Sequence, residues 1–464
     1  MATSFIDAMQ TNDVVGENGM PAHSTSGSKV LDFFSSSGAM RTSRESTILA
    51  KFSAAFSDDP LLALKALFYA RDIRGGQGER RLFRIILRDL AENHPDVVVN
   101  NLDNITKFGR FDDLEVLQGT AAFQAAMAYW LSEILHAKNA LAAKWFPRSG
   151  PLFGIGRKMA GMKAGEFRRT LSGLTKVVET QMCQQEWPAI NYSHVPSQAS
   201  RKYRKAFKKH DKERYEAFIN AAEKGDVKIN AGTLYPSDLV KNYMGYAPKI
   251  DNTIEALWKQ LPNWLGEDNQ GILPVCDVSG SMMGQPMEVS VGLGMYLAER
   301  NQGAFKDVVV TFSDSPAFHS LSGSLKTRVE QLMTAPWGMN TNLAKTMQIM
   351  LDRAVSNGVS PDQMPSVLLI ISDMQFDSCV EGVNALTMMK NHYATAGYKF
   401  PDIVFWNVRD SVGKPAKHNS KGVALVSGYS PSIMKAILGR KPQATPLDTM
   451  LDMLNSERYD SVML

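Results

Sequence analysis

From about Ser43 onward, apolar residues recur at helical spacing. Leu61, Leu62, Leu64, Leu67 and Phe68 form a stripe at i, i+3 and i+4 positions. Asp58, Asp59 and Pro60 in front of it supply start signals, a carboxylate for the free N–H groups of the first turn and a proline whose missing N–H is not needed there. Leu82, Ile85, Ile86 and Leu90 repeat the device over residues 81–91. Further helices are expected over 121–143, 164–182, 200–223 and 252–261, and nothing between 43 and 265 alternates as a half-buried strand does. Short Gly, Pro or Asn breaks between them predict a bundle or an irregular stack of helical pairs, without an internal repeat of fixed period. Residues 1–42 are rich in Ser, Gly, Asn and Thr, carry no period and read as a flexible leader.

After Gly271 the pattern changes to short apolar runs separated by helical stretches. The runs are 272–278, 308–312, 367–371, 403–408 and 423–426, and the helices are expected near 284–300, 325–334, 342–356 and 380–396. Strands buried on both faces lose their alternation because helices cover them on each side, so these runs predict parallel strands of a doubly wound sheet. The expected fold class is therefore α + α/β, a repeat- or bundle-like α-helical region at 43–268 followed by a doubly wound, Rossmann-like domain at 269–464.

Composition narrows the class. With 464 residues, 44% hydrophobic and 21% charged, the chain is long enough for two cores and ordinary for a globular protein. The three cysteines, Cys183, Cys276 and Cys379, are too scattered for a disulfide framework or a zinc knuckle, which suits a reducing, cytoplasmic setting. The first residues hold no basic and apolar signal segment, and no later stretch approaches ~18 uninterrupted apolar residues, so neither export nor membrane insertion is expected. Residues 1–270 hold 35 Lys and Arg against 30 Asp and Glu, and residues 271–464 hold 16 against 17, so the basic excess lies in the first part.

Two carboxylates and three hydroxyls fall where ligands bind in such sheets, outside the carboxyl ends of the strands. Asp277, Ser279 and Ser281 follow the first run in Asp-Val-Ser-Gly-Ser, with Gly280 easing the tight turn. Thr341 lies in Trp337-Gly-Met-Asn-Thr-Asn342 before a helix, and Asp373 ends the run 367–371 just after Ser372. An all-oxygen shell of this kind suits Mg²⁺ at roughly 2.0–2.1 Å, or Mn²⁺ or Ca²⁺. Asp-x-Ser-x-Ser by itself is also an N-terminal capping sequence; three loops in this order favour the metal reading.

Two basic features mark the helical part. Residues 201–215 hold eight Lys and Arg and three aromatics. On a helix Tyr203, Phe207 and Tyr215 would face inward and leave Arg201, Lys202, Arg204, Lys205, Lys208, Lys209 and Lys212 outward, either to bind phosphate or simply as a solvated face. Arg71, Arg74, Arg80 and Arg81 surround the turn Gly75-Gly76-Gln77-Gly78, either a phosphate cradle or a plain interhelical turn. No strand precedes those glycines, so the turn is neither a Rossmann fingerprint nor a P-loop.

Asp277, Ser279, Ser281, Thr341 and Asp373 closely resemble the metal-ion-dependent adhesion site of von Willebrand factor A (vWA) domains. That resemblance implies direct coordination by Ser279, Ser281 and Thr341, with Asp277 and Asp373 largely behind them. The threonine loop departs from the commoner Gly-Gly-Thr by reading Gly-Met-Asn-Thr-Asn. Residues 71–81, Phe108-Gly-Arg-Phe-Asp-Asp-Leu114, Ala143-Lys-Trp-Phe-Pro-Arg148 and Val195-Pro-Ser197 resemble a poorly characterised family of plant, protist, bacterial and phage proteins that pairs such a region with a C-terminal vWA domain. A phage-encoded member would act in the host cytoplasm. The arrangement is similar to the TROVE plus vWA architecture of the Ro ribonucleoprotein family, which implies binding of small or misfolded RNA.

The expectation is a Ro-like RNA-binding protein with a divalent-metal site for an acidic protein ligand. The alternative is an interaction adaptor acting through the metal site with no nucleic-acid role. Walker A, His-Glu-x-x-His and Gly-x-Ser-x-Gly patterns are absent, so no enzyme is expected.

Overall fold

The structure is a computed structural model that describes residues 14–15, 21–175, 177–266, 271–312, 317–334, 343–376, 385–411, 413–438 and 443–464. The chain forms two compact units, one of residues 1–42 and 234–453, the other of residues 43–233 and 454–464. The fold class is α + α/β.

The second unit is helical, with no strand among its described residues. Helix Pro60–Arg71 begins as its sequence predicts, with Pro60 in the first turn and the Asp59 carboxylate accepting the N–H of Leu62 at 2.9 Å. Helix Arg80–Asn93 follows, and Phe68, Phe83 and Phe108 meet in the core between them. Trp130, Phe146 and Phe167 continue that core edge to face, with Trp130 Nε1 donating to Ala142 O at 3.0 Å. The expected helix at 200–223 is two, Ser197–His210 and Lys212–Lys224. They part at Asp211, whose carboxylate accepts the Tyr192 hydroxyl and pairs with Arg214, so that Phe207, Tyr192 and Tyr215 close into one aromatic cluster. The expected helices at 121–143 and 164–182 are broken likewise, into Phe123–Leu135 with Ala140–Trp145 and Ala164–Leu174 with Val178–Cys183.

The other unit is built on six strands, β1 (Ile272–Asp277), β2 (Val308–Phe312), β3 (Ala317–Ser320), β4 (Val367–Ser372), β5 (Asp402–Asn407) and β6 (Val423–Ser427), in the spatial order β3-β2-β1-β4-β5-β6. Every pairing is parallel except β3 with β2. The five apolar runs are all strands. β3 has no counterpart among them, since its Ala-Phe-His-Ser is half exposed and is a strand only because it hydrogen-bonds to β2.

On one face Leu273, Val275, Leu368, Ile370 and Phe405 pack against Met347 and Met350 of helix Leu343–Ser356 and Met389 and Tyr393 of helix Ala385–Thr395. On the other, helix Gln285–Arg300 lies close on β1. A Cβ at Gly294 would come within 2.0 Å of Cys276 Sγ, and one at Gly292 within 2.8 Å of the Ser237 backbone. Glycine at both points lets this helix be sandwiched between the sheet and helix Pro236–Val240, which explains its burial almost all round. Glu255 of helix Asn252–Lys259 accepts the Leu325 and Lys326 N–H groups at the start of helix Leu325–Met333, at 2.8 and 3.2 Å. Residues 234–266, read from sequence with the helical region, are thus packed with the sheet.

Within the stretch read as a flexible leader, Lys29–Ser37 is a helix capped by the Ser28 hydroxyl and packed on β6. Its Ser36 and Ser37 hydroxyls donate to Asp32 O and Phe34 O within the same helix, which lets polar residues be buried. Gly38 N donates to Ser427 Oγ at 3.0 Å.

Candidate functional site

The strand order reverses direction between β1 and β4, and the crevice at such a switch point, beyond the carboxyl ends of the strands, is where doubly wound sheets hold ligands. Asp277 ends β1 and Asp373 follows β4, both fully buried. Asp277 Oδ1 accepts the Ser279 N–H at 2.9 Å, shaping the turn, and Oδ2 accepts the Ser372 hydroxyl at 2.6 Å. The Ser279 and Ser281 hydroxyl oxygens are 3.1 Å apart. Asp373 Oδ1 accepts the Gln375 N–H at 3.3 Å across a turn in which Met374 takes a φ of 65°, a left-handed conformation uncommon for a residue with a side chain. Burial, and then the neighbouring Asp373 charge, push the Asp277 carboxyl up to about 6.

Four of the five residues read as metal ligands, Asp277, Ser279, Ser281 and Asp373, therefore meet in one crevice, and Thr341 lies outside the described residues. Among the described residues no group of three or more His, Cys, Asp or Glu is arranged to hold a metal, so a cation here would depend on hydroxyls beside the two carboxylates. The donor set fits one. Two buried carboxylates, of which Asp277 is costly to ionise because of its burial and the Asp373 charge, stand with the Ser279 and Ser281 hydroxyls as a hard oxygen site that a divalent cation would neutralise. Ser372, which orients Asp277, was not among the residues singled out from sequence, although it adjoins Asp373.

In the helical unit a cavity of about 1180 Å³ opens among helices Leu102–Phe108, Ala140–Trp145, Val178–Cys183 and Ser197–His210. Seven cations line it. Arg74, Arg201, Lys202 and Arg204 were expected to meet phosphate, and Lys107, Arg110 and Lys144 were not. The carboxylates along the same wall are Asp72 and Glu179, and Asp72 is already engaged by Arg458 and the Tyr459 hydroxyl. Trp145 also lines the cavity, with the Arg110 guanidinium 3.8 Å from its ring centre, and so does Tyr203. Arg110, Lys144 and Trp145 stand in the segments that carry the family resemblance, and Lys107 immediately precedes one of them. Their common wall appears only when four helices come together.

Other basic residues are placed differently. Arg71 is buried and pairs with Asp113 at 2.8 Å, which removes it from any phosphate interface. Arg80 is half exposed and paired with Asp112, and exposed Arg81 donates to Ser43 O at 2.8 Å. The glycine turn is no phosphate cradle. The N–H groups of Gly76 and Gly78 both donate to Asp72 O, that of Gln77 to Tyr69 O and that of Glu79 to Ala70 O. Lys205, Lys208, Lys209 and Lys212 are exposed outside the cavity, with Lys208 paired to Glu216 at 3.2 Å.

Comparison with known proteins finds two families of undescribed role. Residues 16–136 and 164–265 match the domain of unknown function DUF2828, and residues 272–459 match the domain of unknown function DUF7788. The chain is 28% identical to the uncharacterized protein L728 of Acanthamoeba polyphaga mimivirus over 498 aligned residues, spanning 94% of this chain and 86% of that one. Among solved structures it is similar to the Ro (RSR) protein of Deinococcus radiodurans at 14% identity, covering 88% of this chain and 92% of that one with a TM-score of 0.34. A score that low carries nothing across. No helix among the described residues is long and apolar enough to cross a membrane.

Proposed function

We propose that this protein is a Ro-like RNA-binding protein, with the RNA held by the helical unit and a divalent cation held by the sheet unit. The observation that carries the RNA reading is the cavity wall, where seven Lys and Arg, of which Arg110 is paired with Asp112, outnumber two carboxylates, Asp72 held by Arg458 and Glu179 accepting the Tyr203 hydroxyl, and Trp145 stands among them. Clustered cations bind a phosphate backbone through counterion release, and aromatic faces add stacking with unpaired bases, so the wall favours single-stranded RNA.

In the sheet unit, we read the crevice at Asp277 as a metal-ion-dependent adhesion site on a vWA-type domain. Ser279, Ser281 and Thr341 would hold Mg²⁺, Mn²⁺ or Ca²⁺ directly, with Asp277 and Asp373 behind them. The cation supplies an electrophilic docking position for an acidic group. The role read for the crevice is binding of that acidic group.

Fluorescence anisotropy with single-stranded and hairpin RNA over a salt series tests the first half. The expected result is binding that weakens steeply with salt and is lost in a Lys107→Glu/Arg201→Glu double variant. Absence of binding at low salt overturns it.

A further inference from the structure

Arg409 lies two residues beyond β5, at the carboxyl end of the sheet, and its own N–H is held by Asn407 Oδ1 at 3.0 Å. From there its guanidinium donates to the carbonyl oxygen of Ser281, the residue whose hydroxyl lies 3.1 Å from that of Ser279. This fixes an exposed cation on the rim of the crevice. Among the described residues the guanidinium of Arg409 has the Ser281 carbonyl as its partner and pairs with no carboxylate, so toward them most of its five N–H donors are unused. On the same loop, two residues past Ser281, the Met283 side chain is 83% exposed. That side chain offers an apolar, adaptable contact on the loop that carries Ser279 and Ser281.

We propose that Arg409 and Met283 select the ligand of this crevice, and that the ligand is a polypeptide segment carrying an Asp or Glu next to an apolar residue. The inference rests on the reading of the crevice as a cation site. The Arg409 fork, whose planar donors match a carboxylate, would hold the acidic group that a cation in the crevice attracts. The neighbouring apolar side chain covers Met283, whose flexible thioether adapts to different shapes. A nucleic-acid phosphate satisfies the charged contact but brings no aliphatic group to Met283.

The test uses the full chain with Mn²⁺ and a fluorescein-labelled Leu-Asp-Leu amide, its Leu-Asn-Leu counterpart and inorganic phosphate as probes. Mn²⁺ affinity is read first by electron paramagnetic resonance, and peptide affinity afterwards by anisotropy. Arg409→Gln is expected to keep wild-type Mn²⁺ affinity while weakening the Asp peptide about tenfold, the scale of one charge-assisted hydrogen bond. Met283→Ser should weaken the peptide and leave competition by acetate unchanged. A merely structural Arg409, holding the Ser281 loop, would instead lower the affinity for Mn²⁺ itself. Equal binding of the Asn peptide, unchanged peptide affinity in Arg409→Gln, or displacement of the peptide by phosphate at lower concentration than by acetate overturns the proposal, the last pointing to a phosphate-bearing ligand. If wild type fails to bind Mn²⁺, the cation reading falls first, and the resonance measurement registers that before any peptide is added.

Discussion

Asp113 stands at the centre of a network of arginines in the helical unit. It is fully buried and accepts from Arg71 Nε at 2.9 Å, Arg84 Nε at 2.8 Å and the Arg110 N–H at 3.0 Å. Burial pushes its carboxyl up, but the Arg71 and Arg84 charges and hydrogen bonds outweigh that and hold it below the usual range. A depressed carboxyl contributes stability that is complete above its unfolded value of about 3.9 and is lost as pH falls through the folded value. Asp113→Asn should therefore cost about 3–5 kcal/mol at pH 7, because it leaves Arg71 buried without a counter-charge. Urea melts at pH 7 and pH 3 should show the gap between wild type and variant narrowing in acid; an equal gap at both would refute the assignment. At Asp277 the expectation differs. If the crevice holds a cation, millimolar Mg²⁺ raises the melting temperature of wild type by preferential binding to the folded state, and Asp277→Ala removes that response. Calorimetry with and without EDTA reads both.

At the scale of elements, the C-terminal segment behaves as part of the helical unit. Asn101 brackets Met463, donating to its O at 2.6 Å and accepting its N–H at 3.2 Å, while Asn104 exchanges bonds with Ser461 at 2.7 and 2.6 Å. Tyr459 is buried against Phe108 and Tyr69, and Arg458 pairs with Asp72. Tyr459→Ala should cost about 3 kcal/mol, as for a buried aromatic truncated to alanine. Truncation after Asn455 should raise amide hydrogen exchange in helices Pro95–Asn100 and Leu102–Phe108, which lose both their asparagine partners and their aromatic cover. Unchanged exchange would mean that the tail adds nothing to them. The elements themselves were unequally legible. Runs such as 367–371, Val-Leu-Leu-Ile-Ile, are apolar throughout and name themselves. Lys29–Ser37 was missed because three consecutive serines look like linker until their hydroxyls are seen to bond within the helix, and β3 was missed because a four-residue edge strand has too little period to register.

For the whole molecule, the excess positive charge of residues 1–270 is divided among three fates. Some cations neutralise buried carboxylates, as Arg71 and Arg84 do. Some stand in water, as Lys205 and Lys209 do, and some converge on one cavity. If RNA occupies that cavity, Lys107→Glu/Arg201→Glu should weaken binding and flatten its salt dependence far more than Lys208→Glu/Lys209→Glu, although each pair reverses the same charge. Equal losses would instead indicate a diffuse outer surface.

The order of Asp277, Ser279, Ser281 and Asp373 along the chain was enough to foresee their meeting, because parallel strands of one sheet must bring their carboxyl ends to one side. The division between helices and strands was equally a matter of local period. The sequence could not say which arginines remain available, since pairing with Asp112 or Asp113 joins residues some thirty to forty positions apart and depends on burial. Nor could it place Lys107, Lys144 and Arg201 on one wall or Arg409 beside Ser281, because such meetings follow from helix packing and loop paths, on which local periodicity carries no information.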